Sequence, residues 1–214
     1  MIFVENKKRK IERIQKQHPG AYILDLTSSS TAYAQKLSPF YPHGGIPIPF
    51  SEGEYAMSVE GIWQGLKVFE SCDIDYASFS NSTMKGLKRT VRKYGKPLGH
   101  RKGTHGAELL SYYEARMLIY LPSYKYILER IPEVHNIVQR IKEQSKISDI
   151  VFLDYATNID VRDTSSPLSH AGLVKLYIED CYPSYDPLIK EYSIDELQSR
   201  RSTKKSKKGQ LTLF

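Results

Sequence analysis

The segment LSPFYPHGGIPIPFSEGEYAMSVEGIWQGLKVF, residues 37–69, joins a loop rich in proline, glycine and aromatic residues to a predicted short helix. The helix is predicted to begin after Ser58, a residue type that is favoured at the N-cap. At about 100° per residue, Glu60, Gln64 and Lys67 fall within about 60° of one another on its surface. A carboxylate, an amide and an amine therefore share one stripe beside an apolar stripe, which predicts that they lie at the edge of a pocket.

The loop that precedes this helix is predicted to be stiff. Prolines at positions 39, 42, 47 and 49 alternate with aromatic residues, and proline restricts both its own φ angle and the residue before it. The aromatic side chains of Phe40, Tyr41 and Phe50 argue against disorder. A loop of this length in a compact domain is commonly functional.

Composition predicts one globular domain. The chain has 214 residues, of which 40% are hydrophobic, and this is enough for a true core. It has no run of 18 apolar residues and no signal-peptide pattern, so we expect a cytoplasmic protein without membrane association. Cys72 and Cys181 show neither metal-ligand spacing nor a disulfide framework. We expect a domain over residues 1–192 and a basic tail over residues 193–214.

The net charge of +7 is unevenly distributed along the chain. Six Lys and Arg residues and no acidic residue lie between Gln198 and Phe214, and eight more basic residues lie between Lys85 and Lys102. Such segregation favours a polyanionic partner such as nucleic acid. The alternative is a solvated helix face.

Hydrophobic patterning predicts a mostly helical α+β fold with a small sheet. The short apolar runs at residues 21–27 and 149–154 are typical of buried strands. Periodicity, caps and breakers predict the helices. They are placed over residues 5–17, 58–70, 82–94, 133–144 and 168–182, with one more that starts at Ser111 and is bent or split at Pro122.

The loop and helix of residues 37–69 resemble the NADAR family, also called YbiA-like. Weaker similarity extends to Leu98–Arg101, Asn158–Asp160 and Leu168–Leu173. The sequence departs from the family pattern at Gly61, where His is usual, and lacks the later Trp-Gly. The residues that carry the main similarity are Ser38, Phe40, Tyr41, Pro42, Ser58, Glu60, Gln64, Lys67 and Phe69.

This resemblance implies an N-glycosidase. Some family members act on phosphoribosyl intermediates of riboflavin metabolism, and others remove ADP-ribose from guanine in nucleic acid, which reverses ADP-ribosyltransferase toxins. We therefore expect hydrolysis of the bond between a base, guanine in DNA, and ADP-ribose or ribose. The alternatives are a glycosidase of a nucleotide or riboflavin-pathway metabolite, a DNA base-modification enzyme, and a non-catalytic ADP-ribose or nucleic-acid binding module. Gly61 and the missing Trp-Gly favour the binding module.

The resemblance implies that Glu60 and Lys67 are catalytic. Glu60 would stabilise the oxocarbenium ion or activate water, and Lys67 would bind phosphate or form a Schiff base. From spacing alone, the alternative is an exposed helix face with an i,i+4 contact. Neither a metal site nor a cofactor is expected, because metal-ligand spacing and Walker or Rossmann glycines are absent. The predicted substrate-binding residues are Phe40, Tyr41, Trp63, Gln64, Arg101, Asn158 and Asp160.

The last five residues, QLTLF, resemble the pentapeptide by which bacterial replication and repair proteins bind the sliding clamp. The preceding STKKSKKG is a flexible basic linker that can reach a clamp near DNA. The alternative is that the apolar end folds back onto its own domain. The predicted partner-binding residues are Gln210, Leu211, Leu213 and Phe214.

Overall fold

The computed structural model describes residues 1–185, so the predicted domain boundary after residue 192 lies outside the described residues. These residues form one α+β domain in which helices predominate over small sheets, as the sequence predicts. None of the helices in this part of the chain is long and apolar enough to cross a membrane.

The strands are β1 (Ile2–Asn6), β2 (Tyr22–Asp25), β3 (Ile46–Pro47), β4 (Tyr55–Ala56), β5 (Lys67–Val68), β6 (Gly99–Arg101), β7 (Leu109–Leu110) and β8 (Ile150–Asp154). The α-helices are α1 (Ile11–Gln17), α2 (Val59–Gly65), α3 (Tyr76–Phe79), α4 (Val91–Tyr94), α5 (Tyr112–Ala115), α6 (Leu121–Arg130), α7 (Pro132–Ile147) and α8 (His170–Ile178). A 3₁₀ turn covers Tyr33–Leu37, and a π-helical turn, Arg116–Tyr120, connects α5 to α6.

The largest sheet is parallel and has the strand order β1-β8-β2. All residues of β8 are buried, as expected for a central strand that is covered on both faces. Phe152 joins the main core, whereas Val151 and Leu153 pack with Ile14 of α1 on the other face. Both predicted strands are confirmed.

The predicted helix over residues 5–17 is wrong at its start. Residues 2–6 form β1, which pairs with β8 in a register that sets Ile2 against Ile150. The helix begins only at Ile11. Apolar pairing with a strand so distant in sequence overrides the local helical pattern.

The capped helices agree better with the sequence. Ser111 and Glu114 form a capping box at the start of α5, and Pro132 occupies the first turn of α7, where its missing N–H costs nothing. The predicted split near Pro122 is present as the π-helical turn, which comes just before this proline. Pro122 itself lies in the first turn of α6.

Two other predicted helices are shorter than expected. Helix α2 ends at Gly65, not near residue 70, because β5 follows at once and pairs antiparallel with β6. Residues 82–94 contain only the single turn α4. Here the backbone N–H of Arg89 donates to the side-chain oxygen of Gln64, at 3.1 Å, in place of a helical partner.

Candidate functional site

A cavity of about 320 Å³ lies beyond the carboxyl ends of β2 and β8. In sheets of this kind, ligands commonly bind in the crevice at these strand ends. The cavity is also lined by α2, the loop before it, the π-helical turn and the start of α8. Its lining includes Thr27, Ser28, Ser38, Pro39, Phe40, Glu60, Trp63, Gln64, Lys67, Lys88, Tyr112, Arg116, Tyr120, Asp154, Tyr155, Ala156, Pro167, Leu168 and His170.

Glu60 is held in the first turn of α2, where the helix dipole favours its charge. Ser58 caps the helix by accepting from the Gly61 N–H at 3.0 Å, as predicted. The Glu60 N–H donates to the Pro39 carbonyl at 2.8 Å, which ties the helix to the proline-rich loop. Only 7% of Glu60 is exposed. Burial raises its pKa, and the hydrogen bond from Gln64 and the charge of Lys67 oppose that rise.

Gln64 connects Glu60 to Lys67. Its Nε2 donates to Glu60 Oε1 at 2.7 Å, and its Oε1 accepts from Lys67 Nζ at 2.9 Å. Lys67 lies on β5, so the expected helical stripe is wrong for this residue, yet its amine still reaches the same place. Burial lowers the pKa of Lys67, and the charge of Glu60 opposes that change. The structure thus brings the predicted carboxylate, amide and amine into one connected series.

Asp154 and His170 form a buried ion pair in the cavity wall, and His170 is a residue that sequence reasoning overlooked. His170 Nε2 lies 2.9 Å from the Leu26 carbonyl, which can only accept, and Nδ1 lies 3.0 Å from Asp154 Oδ2. Both ring nitrogens therefore donate, and the ring is a cation. The signal in the sequence is weak: Ser169, a helix-cap residue type, stands before His170.

The pKa values of this pair agree with its geometry. Burial disfavours the charged ring, but Asp154, through its charge and hydrogen bond, outweighs this and raises the pKa of His170. Burial likewise opposes ionisation of Asp154, but His170, the Ser169 hydroxyl and the Ala171 N–H lower its pKa to about 2. Asp154 therefore stays ionised at neutral pH.

The three predicted aromatic contacts are placed differently. Phe40 is half-buried and lines the cavity, with Lys88 Nζ 5.6 Å from its ring centroid. Trp63 also lines the cavity but is only 9% exposed, because the His100 ring covers it at 3.9 Å. Tyr41 lies outside the lining and packs against His43 at 4.8 Å. Of the three, Phe40 is the half-buried ring that lines the cavity and is placed for stacking.

Arg101, Asn158 and Asp160 also lie outside the cavity lining. Arg101 forms an ion pair with Asp73. The Asn158 amide donates to the Asp163 carbonyl at 2.8 Å, and Asp160 accepts from a backbone N–H within the same loop. The structure therefore gives these three residues local structural contacts.

The basic segment from Lys85 to Lys102 contains one residue that lines the cavity and another that has a structural role. Lys88 lines the cavity. Arg89 is buried, and its guanidinium donates to three backbone carbonyls and to Cys72 Sγ. It stacks near the rings of Phe69 and Tyr94. Arg89 therefore fixes the segment that carries Lys88.

Arg116 adds a positive charge to the cavity wall. It is 1% exposed and donates to the carbonyls of three residues in the loop 161–166. Among residues 1–185, no carboxylate forms an ion pair with it. The lining holds four basic side chains, those of Lys67, Lys88, Arg116 and His170, against the two carboxyls of Glu60 and Asp154. The cavity therefore favours an anionic ligand.

Two further sets of features concern metal ligands and the C-terminal peptide. Within the part of the chain that the structure describes, no group of three or more His, Cys, Asp or Glu residues is placed to hold a metal ion. The partner-binding residues Gln210, Leu211, Leu213 and Phe214 lie outside the described residues.

A family model described as "Family of unknown function (DUF6939)" matches residues 6–174. This match covers most of the chain and spans the whole cavity lining, so the chain belongs to this family. No curated protein and no solved structure matches the chain.

Proposed function

We propose that this family member is an N-glycosidase that hydrolyses the bond between a base, guanine in DNA, and ADP-ribose or ribose. The observation that carries the proposal is the buried Glu60 carboxyl, which Gln64 orients within a cavity that has excess positive charge. The resemblance of residues 38–69 to NADAR proteins supports the same chemistry.

Glu60 is suited to proton transfer with water. As a water oxygen attacks C1 of the sugar, the C1–N bond breaks and its electron pair passes to the base nitrogen, which takes up a proton from solvent water. The Glu60 carboxylate accepts a proton from the attacking water. Its raised pKa makes it a stronger base than an exposed glutamate. Asp154, with its pKa of about 2, stays ionised and serves as a fixed negative charge near the positive sugar.

Lys67 has two roles open to it within this proposal. Because burial lowers its pKa, a larger fraction of its amine is neutral than in an exposed lysine. A neutral amine can attack C1 and, after the sugar ring opens, form a Schiff base. In its charged form, Lys67 attracts a phosphate group.

The size and charge of the cavity fit the reacting end of a phosphorylated substrate. A volume of about 320 Å³ is at the lower end for ligand pockets. It can enclose the ribosyl group and part of the base, while the diphosphate or the nucleic acid extends past the exposed Lys88. The excess positive charge from Lys88 and Arg116 favours such an anion.

The departure from the family pattern at Gly61 has a packing explanation. A Cβ atom at this position would lie 2.6 Å from the Ser78 carbonyl oxygen of α3. The close approach of α2 and α3 thus requires glycine, so the absence of His here is weak support for a non-catalytic binding module.

The test uses a guanine-ADP-ribosylated oligonucleotide. After incubation, mass measurement should show unmodified oligonucleotide together with free ADP-ribose, and the Glu60→Gln variant should leave the substrate intact. Binding with no change in mass would favour the non-catalytic module. Cleavage of free ribosyl nucleotides alone would favour the metabolite glycosidase.

We also propose that the C-terminal QLTLF docks onto the sliding clamp of the replication machinery. This rests on the sequence, in which apolar Leu211, Leu213 and Phe214 follow a basic linker. Such a tether would bring the cavity to newly made DNA, which favours DNA over a free metabolite as the substrate.

A further inference from the structure

Tyr120 ends the π-helical turn between α5 and α6 and lines the cavity. Turns of this kind are rare and frequently occur at functional sites. The Tyr120 ring is fixed on two sides: it meets Trp63 edge-on at 5.5 Å and lies parallel to the Tyr124 ring at 6.1 Å. Its position is therefore set before any ligand binds.

The hydroxyl groups of these two tyrosines differ. Tyr124 donates to the Leu37 carbonyl at 2.6 Å. The Tyr120 hydroxyl has no hydrogen-bond partner among residues 1–185, and it is not sealed within the core. A hydroxyl in a cavity wall that has no partner among the described residues is costly unless water or a ligand supplies one.

Tyr120 is also held in its protonated form. Burial raises its pKa well above the usual value, and the nearby charges of Glu60 and Asp154 raise it further. The hydroxyl is therefore a permanent donor, and it does not give up its proton during a reaction near neutral pH.

This donor complements the other polar groups around it. In their carboxylate forms, Glu60 and Asp154 offer only acceptors, whereas a sugar hydroxyl both donates and accepts. A sugar hydroxyl that donates to one of these carboxylates still needs a donor for its own oxygen. Tyr120, Glu60 and Asp154 line the same cavity, so the Tyr120 hydroxyl can supply that donor.

We propose that the Tyr120 hydroxyl donates a hydrogen bond to a hydroxyl oxygen of the reacting ribose and so fixes the sugar between Glu60 and Asp154. This inference rests on the proposed function for the identity of the sugar. It makes Tyr120 a binding residue of the ribosyl site and adds a contact that the sequence did not predict.

The experiment compares Tyr120→Phe with Tyr124→Phe as the matched control. Affinity for ADP-ribose and for ADP, which lacks the distal ribose, is followed by the fluorescence of Trp63, the single tryptophan of the chain. Tyr120→Phe should weaken ADP-ribose binding about 5- to 10-fold, the usual effect of one neutral hydrogen bond, and leave ADP binding unchanged.

Thermal unfolding separates this role from a structural one. Tyr120→Phe should keep or raise the Tm because its hydroxyl has no partner in the described part of the chain. Tyr124→Phe should lower the Tm and keep the ADP-ribose affinity. Equal ADP-ribose affinity of wild type and Tyr120→Phe would overturn the inference, as would a wild-type protein that does not bind ADP-ribose.

Failure of the proposed hydrolysis would give a different result. In that case the wild-type protein would bind ADP-ribose but leave the modified oligonucleotide intact. The comparison of variants would still decide the role of Tyr120.

Discussion

At the scale of single residues, the cavity depends on Glu60 being both buried and oriented. Its carboxylate accepts from the Gln64 amide, whose own oxygen is held by Lys67 and by the Arg89 backbone N–H. The amide cannot turn over without losing these donors. The direction of the Glu60 carboxylate is therefore set by residues of three segments: α2, β5 and the loop before α4.

Glu60→Gln should lower turnover about 10²–10³-fold, the usual effect of losing one charge-stabilising group. The new amide still has an oxygen that can accept from Gln64, so the fold should be retained, and loss of a buried charge should not lower the Tm. Turnover of the modified oligonucleotide and a thermal melt measure the two effects. Full activity in this variant would remove Glu60 from the mechanism.

Lys67 should act through its amine. Borohydride added during turnover should reduce a Schiff base and leave a sugar covalently attached to Lys67, detectable as a mass increase of the protein. Lys67→Arg keeps the charge but has no nucleophilic amine, so it should give no adduct and little turnover. An active Arg variant together with an unmodified wild-type protein would limit Lys67 to an electrostatic role.

The Asp154–His170 pair should make stability depend on pH. Asp154 has a depressed folded pKa, so its contribution is present above its ordinary value of 3.8 and is lost as the pH falls towards about 2. His170 has a raised folded pKa, so its contribution is full below its ordinary value of 6.5 and is lost as the pH rises through the folded pKa. The pair should therefore stabilise most between about pH 4 and pH 6.5.

Denaturant unfolding from pH 4 to pH 9 measures this contribution. The double variant Asp154→Asn, His170→Gln removes both charges and should lose the decline of stability above pH 6.5 that the wild type shows. An identical decline in both proteins would assign the pH dependence to other groups.

At the scale of elements, the short length of α2 positions both Lys67 and the cavity. Gly65 ends the helix directly against α3, and a Cβ atom there would lie 2.3 Å from Phe79 Cε1. The chain then enters β5, where Lys67 pairs with His100 of β6. A helix that continued to residue 70 would break this pairing.

Gly65→Ala should destabilise the protein although alanine is the better helix former by about 1 kcal/mol. The overlap with the Phe79 ring should cost about 1–3 kcal/mol, measured as a lower urea midpoint. Adding Phe79→Leu should recover part of the loss, since the smaller side chain relieves the overlap. A more stable Gly65→Ala protein would contradict this prediction, because it would show that Phe79 can move to make room for the added methyl group.

At the scale of the whole molecule, the proposed glycosidase domain precedes a basic C-terminal segment that ends in QLTLF. If this end is a docking peptide, the full-length chain should bind the sliding clamp, and a version truncated after Lys208 should not. Leu213→Ala with Phe214→Ala should match the truncation, because these apolar anchors would be lost while the basic linker remains. Equal clamp binding by the full-length and truncated chains, or none by either, would contradict the tether and leave the glycosidase proposal intact.

The sequence alone determined the features that depend on local patterns. Apolar runs predicted β2 and β8, and caps or proline predicted the starts of α2, α5 and α7. The spacing of Glu60 and Gln64 predicted their contact, because helical geometry brings residues four apart together. These features follow from short stretches of chain, so they can be read without knowing the fold.

Only the tertiary structure decided the features that join distant parts of the chain. Strand β1 forms because Ile2–Asn6 pairs with β8, and the ion pair forms because α8 brings His170 to the end of that strand. Arg101 pairs with Asp73 of a distant segment outside the cavity, and Tyr120 enters the cavity from a π-helical turn. No local period or cap marks such contacts, since their stability comes from burial and pairing across the folded domain.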